Sequence, residues 1–480
     1  MSDAPTSPRP ILVGGNWETS PDVLEVANPV SDERPAGATY QASAAQLERA
    51  VVAAVDAFEV TRRMGAWERG GVLRAISQGV TEAREELARL VTLEVGKPYK
   101  DTLVEADRTA LAFRLAAEEA ERMTGELIPL DILPTSAGRV GITRRFPIGP
   151  VAAISPFNLP LGLAVHKLAP SLAVGNPIVL KPPSKAPLAL LRLGEIIVGA
   201  GAPTGSVSIL PMGREVGDRM VEDDRFKLLT FTGSSDIGWK LKQRAGRKKV
   251  VLELGGNAAC IIDKSADLDW AAARCVVGAF KFAGQLCVSI QRLIVHEDVW
   301  PAFLERFQAK AAALKAGDPL DPTTDLAPLI DRTSVERIRT WIDEALRGGA
   351  SIAFGGEFRG PWLEPTVIRD VPATAQLSLN EAFAPLALVS TFSDFDDALA
   401  RANASEFGLQ AGVFTNDLAH AWRAFDQLEV GGVIINDIPS YRIDHMPFGG
   451  VKNSGFGREG LRWAMEDMTE LRLMVQVTPG

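Results

Sequence analysis

A cysteine and a glutamate occupy unusual positions in the sequence. Cys287 ends the glycine-containing stretch Phe282-Ala-Gly-Gln-Leu-Cys287, between an apolar, alanine-rich segment typical of a helix and the strand-like residues 293–296. A thiol on such a turn is placed to attack an electrophile, although most cysteines are small buried hydrophobic side chains. Glu253 lies in the middle of the apolar, strand-like run Val-Val-Leu-Glu253-Leu, where an unpaired charge is costly to bury. Together the two residues indicate a nucleophile and a base.

Three further polar groups follow strand-like runs. Asn158, in Ser-Pro-Phe-Asn158-Leu-Pro, could donate to a developing oxyanion, but asparagine is also a common turn residue. Lys181 follows residues 177–180 and could hold ribose hydroxyls or a phosphate, or be an ordinary solvated lysine. The segment Phe-Thr-Gly233-Ser precedes a helix whose first N–H groups suit a phosphate, although capped helices after strands are common. The local sequence leaves each of these roles open.

The elements that would position these residues alternate along the chain. Residues 44–125 have the apolar spacing of helices, and residues 139–146 alternate in a way that predicts an exposed hairpin. Later, short β-rich runs alternate with helix-length segments, which predicts βαβ units and parallel sheets. These runs are residues 151–154, 177–180, 207–210, 227–231 and 250–252, followed after Cys287 by 292–295, 351–354, 387–392, 411–414 and 432–436. Two α/β units are therefore expected, with Cys287 near their junction.

One motif near the end of the chain is misleading. Gly455-Phe-Gly457-Arg-Glu-Gly460 has the letter pattern of a dinucleotide fingerprint. It follows a polar loop instead of a strand, and the chain ends where the ribose-binding acid should lie. We interpret the motif as a turn before a C-terminal helix.

Composition narrows the class of protein. The chain has 480 residues, enough for two or three domains, and 46% of them are hydrophobic. A net charge of −9 argues against a nucleic-acid partner and against binding to an anionic membrane surface. The three cysteines show no CxxC spacing, which predicts neither a disulfide framework nor a metal site and fits the cytoplasm. No apolar run approaches the roughly 20 residues of a membrane-spanning helix.

Seven segments, taken together and in order, resemble the aldehyde dehydrogenase superfamily. They are Ser-Pro-Phe-Asn158, Lys181-Pro-Pro-Ser, Phe-Thr-Gly233-Ser, Glu253-Leu-Gly-Gly, Gly-Gln-Leu-Cys287, Asn-Glu381-Ala-Phe383-Ala-Pro and Pro447-Phe-Gly-Gly-Val-Lys-Asn-Ser-Gly455. The likeness covers the chain from Val13 to its end. Tyr441-Arg-Ile-Asp-His-Met-Pro-Phe and the helix that contains His166 look like the lactaldehyde and phosphonoacetaldehyde dehydrogenase branch.

The resemblance implies an α/β fold with two doubly wound parallel-sheet domains and a small β oligomerisation arm. The nucleotide-binding domain would comprise residues 1–130 and 148–257, the catalytic domain residues 258–465, and the arm residues 131–147 and 466–480. A homodimer or homotetramer is implied as well. The expected ligands are a small-molecule aldehyde and NADP or NAD.

The resemblance also implies a role for each catalytic residue. Cys287 would attack the aldehyde, while Asn158 and the Cys287 backbone N–H hold the oxyanion. Glu253 would then activate the water that hydrolyses the thioester. Its presence favours release of a free acid over transfer to coenzyme A, because acylating relatives commonly lack this glutamate. Burial of Glu253 should raise its pKa and make it a useful base near neutrality.

A second set of residues would bind the cofactor. They are Ile154, Ser155, Pro156, Phe157, Lys181, Pro182, Ser184, Lys185, Gly217, Phe231, Thr232, Gly233, Ser234, Ile237, Leu254, Gly255, Glu381 and Phe383. Relatives that are strict for NAD often carry a glutamate three residues after the lysine, where this chain has Ser184. The missing acid and the neighbouring Lys185 would favour the 2′-phosphate of NADP, or dual use.

A third set would line the substrate tunnel. Its members are Arg108, Leu159, Leu163, His166, Leu286, Ser289, Arg442 and Phe448. Two arginines and a potentially cationic histidine would suit an aldehyde with an anionic tail. Phosphonoacetaldehyde, sulfolactaldehyde and succinic semialdehyde are the first candidates, followed by small hydroxyaldehydes such as lactaldehyde and then by aromatic aldehydes. In the ordinary alternative, Arg108 pairs with Glu105 or Asp107, and Arg442 pairs with Asp444.

Two other classes of function remain as alternatives. A non-enzymatic binding protein of the same fold would be expected to lack catalytic residues, yet Cys287, Glu253, Asn158 and Lys181 are all present. An esterase using the same thiol would turn over activated esters without reducing a nicotinamide.

Overall fold

A computed structural model of the protein describes residues 7–31 and 34–477, so residues 1–6, 32–33 and 478–480 of the predicted domain ranges lie outside it. The helices of this part are α1 (Ala44–Thr61), α2 (Ala66–Glu82), α3 (Arg84–Val95), α4 (Tyr99–Arg122), α5 (Pro160–Val174), α6 (Leu188–Gly199), α7 (Arg214–Glu222), α8 (Ser235–Arg244), α9 (Leu268–Phe280), α10 (Trp300–Ala312), α11 (Arg332–Arg347), α12 (Gln376–Leu379), α13 (Phe395–Asn403), α14 (Leu418–Gln427) and α15 (Leu461–Asp467).

The strands of the same residues are β1 (Ile11–Val13), β2 (Asn16–Glu18), β3 (Val23–Val26), β4 (Gly37–Tyr40), β5 (Leu127–Pro129), β6 (Arg139–Pro147), β7 (Val151–Ile154), β8 (Ile178–Lys181), β9 (Val207–Ile209), β10 (Leu228–Thr232), β11 (Lys249–Glu253), β12 (Ala258–Ile262), β13 (Ile290–His296), β14 (Ser351–Phe354), β15 (Phe358–Arg359), β16 (Trp362–Leu363), β17 (Thr366–Arg369), β18 (Leu386–Phe392), β19 (Phe407–Gly408), β20 (Gln410–Phe414), β21 (Gly432–Ile435), β22 (Val451–Lys452), β23 (Gly455–Phe456) and β24 (Thr469–Val477).

The first sheet contains the strands predicted before Cys287. Its order is β2-β1-β9-β8-β7-β10-β11-β23. The five central strands run parallel, whereas β1, β2 and β23 add antiparallel edges. The central strands are almost continuously buried, as expected when helices cover both faces of a parallel sheet. The misleading glycine motif begins in edge strand β23 and ends at the start of α15, so the predicted turn before a helix is confirmed.

The second sheet contains the strands predicted after Cys287. Its order is β14-β17-β18-β13-β12-β20-β21, and only β14 runs antiparallel to its neighbour. Strands β12 and β17 were not predicted, although β12 lies near the middle of the sheet. The two sheets confirm the α/β class with two mostly parallel, doubly wound units.

The third sheet is the small arm, with the order β24-β6-β5. Residues 139–146 lie in one continuous strand that pairs with β24 along nine positions, so they form one strand of the predicted hairpin. The hairpin partner of β6 is β5, which extends the arm to Leu127, beyond the predicted boundary at residue 131.

The first turn of α5 is held by a side chain of another helix, α4. Glu105 of α4 accepts hydrogen bonds at Oε1 from the backbone N–H groups of Leu161 and Gly162, at 3.0 and 3.1 Å. Its Oε2 pairs with the buried Lys97 at 2.6 Å. The α5 N-cap residue supplies no side-chain bond itself, so Glu105 replaces the missing cap. This contact fixes the start of the helix that carries several of the predicted tunnel residues.

No helix among residues 7–31 and 34–477 combines the length and the apolar composition needed to cross a membrane.

Candidate active site

The loop that carries Cys287 is fixed by unusual backbone geometry and by one glutamine. Helix α9 ends in a 3₁₀ turn at Lys281–Gly284, in which Phe282 and Ala283 adopt φ of 49° and 52°. Gln285 is fully buried and donates to the carbonyl oxygens of Phe282 and Pro328, while it accepts from the N–H of Ile330. Such left-handed backbone persists only where surrounding contacts hold it, and these bonds supply them.

Asn158 lies beside this loop. It follows β7 directly before α5, and its Nδ2 donates to the carbonyl oxygen of Gln285 at 3.0 Å. The amide nitrogen of Asn158 is therefore an oriented donor. Its acceptor, Gln285, lies two residues before Cys287 in the sequence. This arrangement brings together the predicted nucleophile and the predicted oxyanion donor.

Glu253 lies near Cys287, since its charge contributes to raising the pKa of the Cys287 thiol. It is the last residue of β11, so its predicted place in the middle of a strand is wrong, although its burial is confirmed. Neither carboxylate oxygen has a hydrogen-bond partner among the described residues. Burial raises the pKa of Glu253 well above 4.5, the charge of Glu459 adds to this, and Arg442 opposes it. The backbone at Gly256 lies close to the backbone of Cys287, since a Cβ added to Gly256 would be 2.2 Å from the Cys287 carbonyl oxygen.

A buried network of charged residues lies close to Glu253. The sequence analysis did not predict it. Lys167 is fully buried and donates to Glu459 Oε1 at 2.8 Å and to the Thr232 hydroxyl at 2.7 Å. Arg442 donates to Glu459 Oε2 at 3.2 Å. Burial works against ionisation of Glu459, but Lys167 and Arg442 lower its pKa to about 2. The Thr232 hydroxyl therefore faces this network.

A cavity of about 300 Å³ has Cys287 in its wall. Seven of the eight predicted tunnel residues line it: Arg108, Leu159, Leu163, His166, Leu286, Arg442 and Phe448. Ser289 does not, because its hydroxyl hydrogen-bonds the carbonyl oxygens of Gly278 and Ala279. Charged residues that the sequence analysis did not include also line the cavity: Lys97, Asp101, Glu105, Arg274, Lys281 and Asp444.

The two predicted arginines differ in their partners. Arg108 forms a two-point ion pair with Asp444, at 2.6 and 3.2 Å. Arg442 lies 3.9 Å from the centre of the Phe448 ring, and its Nε has no partner among the described residues. Arg108 therefore pairs with Asp444 and not with Glu105 or Asp107. Arg442 pairs with Glu459 and not with Asp444.

The surroundings of His166 act against the positive charge that the sequence analysis allowed for it. Burial lowers its pKa, and the nearby Arg442 lowers it further, although Asp444 acts in the opposite direction. The lowered pKa disfavours the protonated imidazole.

Comparison with known proteins identifies the family. Residues 17–474 match the aldehyde dehydrogenase family. The chain belongs to this family. The 3-sulfolactaldehyde dehydrogenase of Priestia aryabhattai is 40% identical over 466 residues, which cover 97% of each chain. The lactaldehyde dehydrogenase of Methanococcus aeolicus is 37% identical over 97% of this chain and 99% of its own.

Solved structures agree with this assignment. Aldehyde dehydrogenase 21 of Physcomitrella patens, in complex with its reaction product succinate, is 44% identical with a TM-score of 0.96, covering 98% of this chain and 99% of its own. The NADP-dependent glyceraldehyde-3-phosphate dehydrogenase of Bacillus halodurans, complexed with NADP, is 33% identical with a TM-score of 0.95. The match covers 98% of this chain and 100% of that one. The protein is thus an NAD(P)-dependent aldehyde dehydrogenase.

The predicted cofactor residues of this aldehyde dehydrogenase lie mainly at one edge of the first sheet. Those at the carboxyl ends of β7, β8, β10 and β11 and at the start of α8 are Ile154, Ser155, Pro156, Phe157, Lys181, Pro182, Ser184, Lys185, Phe231, Thr232, Gly233, Ser234, Ile237, Leu254 and Gly255. Gly217 of α7 lies beside Lys181, since a Cβ added to Gly217 would be 3.3 Å from the Lys181 side chain. Glu381 lies against Gly255, where a Cβ would be 2.7 Å from its Oε2.

This edge fits a dinucleotide. Lys181 forms no ion pair or side-chain hydrogen bond with the described residues, and burial lowers its pKa. Ser234 begins α8 without a side-chain cap, which leaves the first N–H groups of that helix available for a phosphate. Burial raises the pKa of Glu381 to about 7, while the N–H of Gly256 donates to it at 3.0 Å. Phe383 packs edge-on against Phe157, with ring centres 6.0 Å apart.

Lys185 has a partner that the sequence analysis missed. Its amine forms an ion pair with Asp331 and lies 5.5 Å from the centre of the Phe157 ring. Asp331 also caps α11, so this pair joins the two α/β units. The charge expected to attract a 2′-phosphate is therefore largely compensated, which removes one of the two arguments for NADP.

Proposed function

We propose that the protein oxidises a small aldehyde with an anionic group at its far end to the corresponding carboxylic acid. The observation that carries this proposal is the cavity that has both Cys287 and Arg442 in its wall, with the Nε of Arg442 unpartnered among the described residues. Five cationic residues and three carboxylates line the cavity: Lys97, Arg108, Arg274, Lys281 and Arg442 against Asp101, Glu105 and Asp444. Each of these cations has a carboxylate partner, because Arg274 also pairs with Asp437 and Arg442 with Glu459, so the unpartnered Nε of Arg442 is the group that favours an anion.

The reaction would begin at the sulfur of Cys287. After losing its proton, the sulfur adds to the carbonyl carbon, and the negative charge moves to the carbonyl oxygen. Asn158 Nδ2 and the Cys287 backbone N–H stabilise that oxyanion, for which Asn158 would exchange its bond to Gln285. Burial raises the pKa of Cys287, and Glu381 and Glu253 raise it further, so a nearby positive charge assists formation of the thiolate. Arg442 supplies such a charge.

Loss of a hydride and then hydrolysis complete the reaction. When bound, the nicotinamide ring supplies the acceptor for the hydride, and a thioester remains on Cys287. Glu253 then takes a proton from a water molecule, which attacks the thioester carbon and releases the acid and the thiolate. The two oxygens of Glu253 support this role because neither is bound to another described residue.

The relatives support an anionic substrate. Sulfolactaldehyde carries a sulfonate, and succinate is the reaction product bound to the similar plant enzyme. The aldehyde that gives succinate has a carboxylate at its far end. Both compounds are short chains with an anion opposite the reacting carbon, and a guanidinium group binds either anion well.

We expect Arg442→Ala to raise KM for succinic semialdehyde roughly 10-fold or more, and to raise KM for propanal much less. The reason is that Arg442 has a free donor, whereas Arg108 is already bound in two places by Asp444. Arg108→Ala should therefore have the smaller effect. Steady-state kinetics of both variants with both aldehydes provide the measurement.

The exposed Arg332 provides a matched control, because it pairs only with Glu336 on the surface of α11. Arg332→Ala should leave both KM values unchanged. If Arg442→Ala changes KM for the two aldehydes by the same factor, the arginine is structural and the anionic substrate is rejected.

For the cofactor we propose NADP or NAD, with NADP slightly favoured. Ser184 is exposed and places no acid near the adenine ribose, so a 2′-phosphate meets no repulsion there. Ser184→Glu should lower the ratio of kcat/KM for NADP to that for NAD by roughly 10-fold. Lys185→Ala, which releases Asp331, is the companion variant. An unchanged ratio in Ser184→Glu would show that the 2′-phosphate is bound elsewhere.

We also propose that the protein is a homodimer or homotetramer through its arm. Residues 470–477 of β24 are exposed, including Leu471, Leu473 and Val475, while β6 pairs with only one of the strand's edges. An apolar strand with a free edge normally associates with another chain. Light scattering should give a multiple of 51.5 kDa. Leu473→Asp should shift the mass towards the monomer, and a wild-type monomer would refute the proposal.

A further inference from the structure

Gln291 holds the loop of residues 380–384, which we name the Glu381 loop. Gln291 is the second residue of β13, the strand that follows the cysteine turn, and it is only 5% exposed. Its Nε2 donates to the carbonyl oxygens of Leu377 and Asn380 at 2.7 Å each, and its Oε1 accepts from the N–H of Ala382 at 2.8 Å. Both the donor and the acceptor end of this amide are therefore used on the Glu381 loop and the end of α12.

The Glu381 loop is also fixed against the cysteine turn itself. The backbone of Phe383 adopts φ of 53°, a left-handed conformation that persists only where the surroundings hold it. Arg337 of α11 donates to the carbonyl oxygen of Ala382 at 2.8 Å, so side chains bind both the N–H and the C=O of that residue. A Cβ added to Gly284 would be 2.1 Å from the carbonyl oxygen of Ala384, which places the loop in direct contact with the turn.

The loop carries one of the charges that act on the nucleophile. Burial raises the pKa of the Cys287 thiol, and the charge of Glu381 raises it further. Three other charged groups act on the same thiol: Glu253 and Glu459 raise its pKa, and Arg442 lowers it. Of the four groups, only Glu381 lies on the loop that the amide of β13 holds.

We propose that Gln291 is a positioning residue, whose amide holds Glu381 at a fixed place beside both Cys287 and the bound cofactor. This inference rests on the proposed function, in which Glu381 contributes to the binding of NADP or NAD. The hydride leaves the carbon atom that is bound to Cys287, so a cofactor residue beside this sulfur contacts the end of the cofactor that accepts the hydride. Releasing the loop from Gln291 would therefore disturb the alignment needed for hydride transfer.

Alkylation of Cys287 in the enzyme without cofactor tests this positioning. Iodoacetamide reacts with the thiolate, and mass spectrometry locates the modified cysteine. Glu381 is ionised above its pKa of about 7, and its negative charge then opposes formation of the thiolate. We expect Gln291→Met, which removes all three hydrogen bonds, to increase the rate of alkylation roughly 3-fold or more at about pH 8.5, because the carboxylate is no longer held beside the sulfur.

A double-mutant cycle shows whether Gln291 acts through Glu381. Glu381→Gln removes the charge and should accelerate alkylation at least as much as Gln291→Met does. In the Glu381→Gln enzyme, adding Gln291→Met should change the rate by less than about 1.5-fold. A further increase would mean that the loosened loop merely exposes Cys287, and it would refute the inference. If Gln291→Met does not fold, Gln291→Asn takes its place, because its shorter amide does not span the three contacts.

Hydride transfer provides the second measurement. In rapid mixing with cofactor and aldehyde, Gln291→Met should lower the rate of the first burst of reduced cofactor roughly 10-fold or more, while KM for the aldehyde changes less than about 2-fold. An unchanged burst rate would refute the role in alignment.

Asn176 provides a matched control, because it is a fully buried amide at the amino end of β8, opposite the cofactor edge. It accepts from the N–H of Gly149 and donates to the carbonyl oxygen of Met468. Asn176→Leu should lower thermal stability but leave the rates of alkylation and of the burst unchanged. Equal effects of Asn176→Leu and Gln291→Met on these rates would show general loosening and refute the inference.

Failure of this inference is distinguishable from failure of the proposed function. If the wild-type enzyme reduces NADP or NAD but Gln291→Met alters neither alkylation nor the burst, only the inference is refuted. If no aldehyde reduces either cofactor, the proposed function fails and the role in hydride transfer fails with it. The alkylation cycle then still decides whether Gln291 holds Glu381 beside Cys287.

Discussion

Replacing Cys287 with serine should lower the rate of aldehyde oxidation by a factor on the order of 10⁴ or more. A serine hydroxyl ionises far less readily than a thiol and does not form the thioester, so no acyl-enzyme accumulates. Binding of NADP or NAD should remain nearly intact, because the cofactor residues lie on β8, β10 and α8. The measurements are reduced-nicotinamide absorbance for turnover and fluorescence titration for cofactor affinity.

The other two cysteines provide matched controls. Cys260 and Cys275 are fully buried, with their sulfur atoms 3.8 Å apart, in the core packed against the second sheet. Cys260→Ala and Cys275→Ala should therefore retain oxidation, although each could lower thermal stability. Normal turnover by Cys287→Ser would contradict the assignment of the nucleophile.

Replacing Glu253 with glutamine should leave a single burst of reduced cofactor, of about one equivalent per active site, followed by much slower turnover. Formation of the thioester does not require this carboxylate, whereas its hydrolysis does. Rapid mixing measures the burst, and mass spectrometry should detect the trapped acyl group on Cys287. A missing burst would show that Glu253 acts before the hydride is transferred.

The dependence of hydrolysis on pH provides an independent check on Glu253. Because burial raises its pKa, a substantial fraction is protonated at mildly acidic pH and cannot act as a base. The rate of hydrolysis in the wild-type enzyme should therefore increase with pH as Glu253 ionises. That increase should be absent in Glu253→Gln. The matched variant Glu459→Gln removes the neighbouring negative charge and should shift the increase to lower pH.

Much of the architecture could be predicted because its signals are local. Alternating apolar runs and helix-length segments located most central strands of both sheets, and the glycine turn located Cys287 between α9 and β13. The strand β12 gave no such signal, since its run Ala-Ala-Cys-Ile-Ile follows closely after β11 and reads as its continuation. The order of the seven motifs identified the family, and the family resemblance in turn indicated which residues bind the cofactor.

The charge pairs of the site could not be predicted because their partners are far apart in the sequence. Arg108 and Asp444 are separated by 336 positions, and Lys167 and Glu459 by 292. Only the folded chain brings α4 and α5 against the loops that precede and follow β23. For the same reason the sequence suggested a potentially cationic His166 and a free Lys185, whereas burial and Arg442 lower the pKa of His166 and Asp331 pairs with Lys185.

The most direct test of the proposed function is reduced-nicotinamide absorbance with NADP or NAD and a panel of succinic semialdehyde, phosphonoacetaldehyde, lactaldehyde, propanal and benzaldehyde. We expect kcat/KM to be highest for an anionic member, with propanal and benzaldehyde at least about 10-fold lower. A preference for propanal or benzaldehyde would leave the protein an aldehyde dehydrogenase but would contradict the anionic substrate and the role proposed for Arg442.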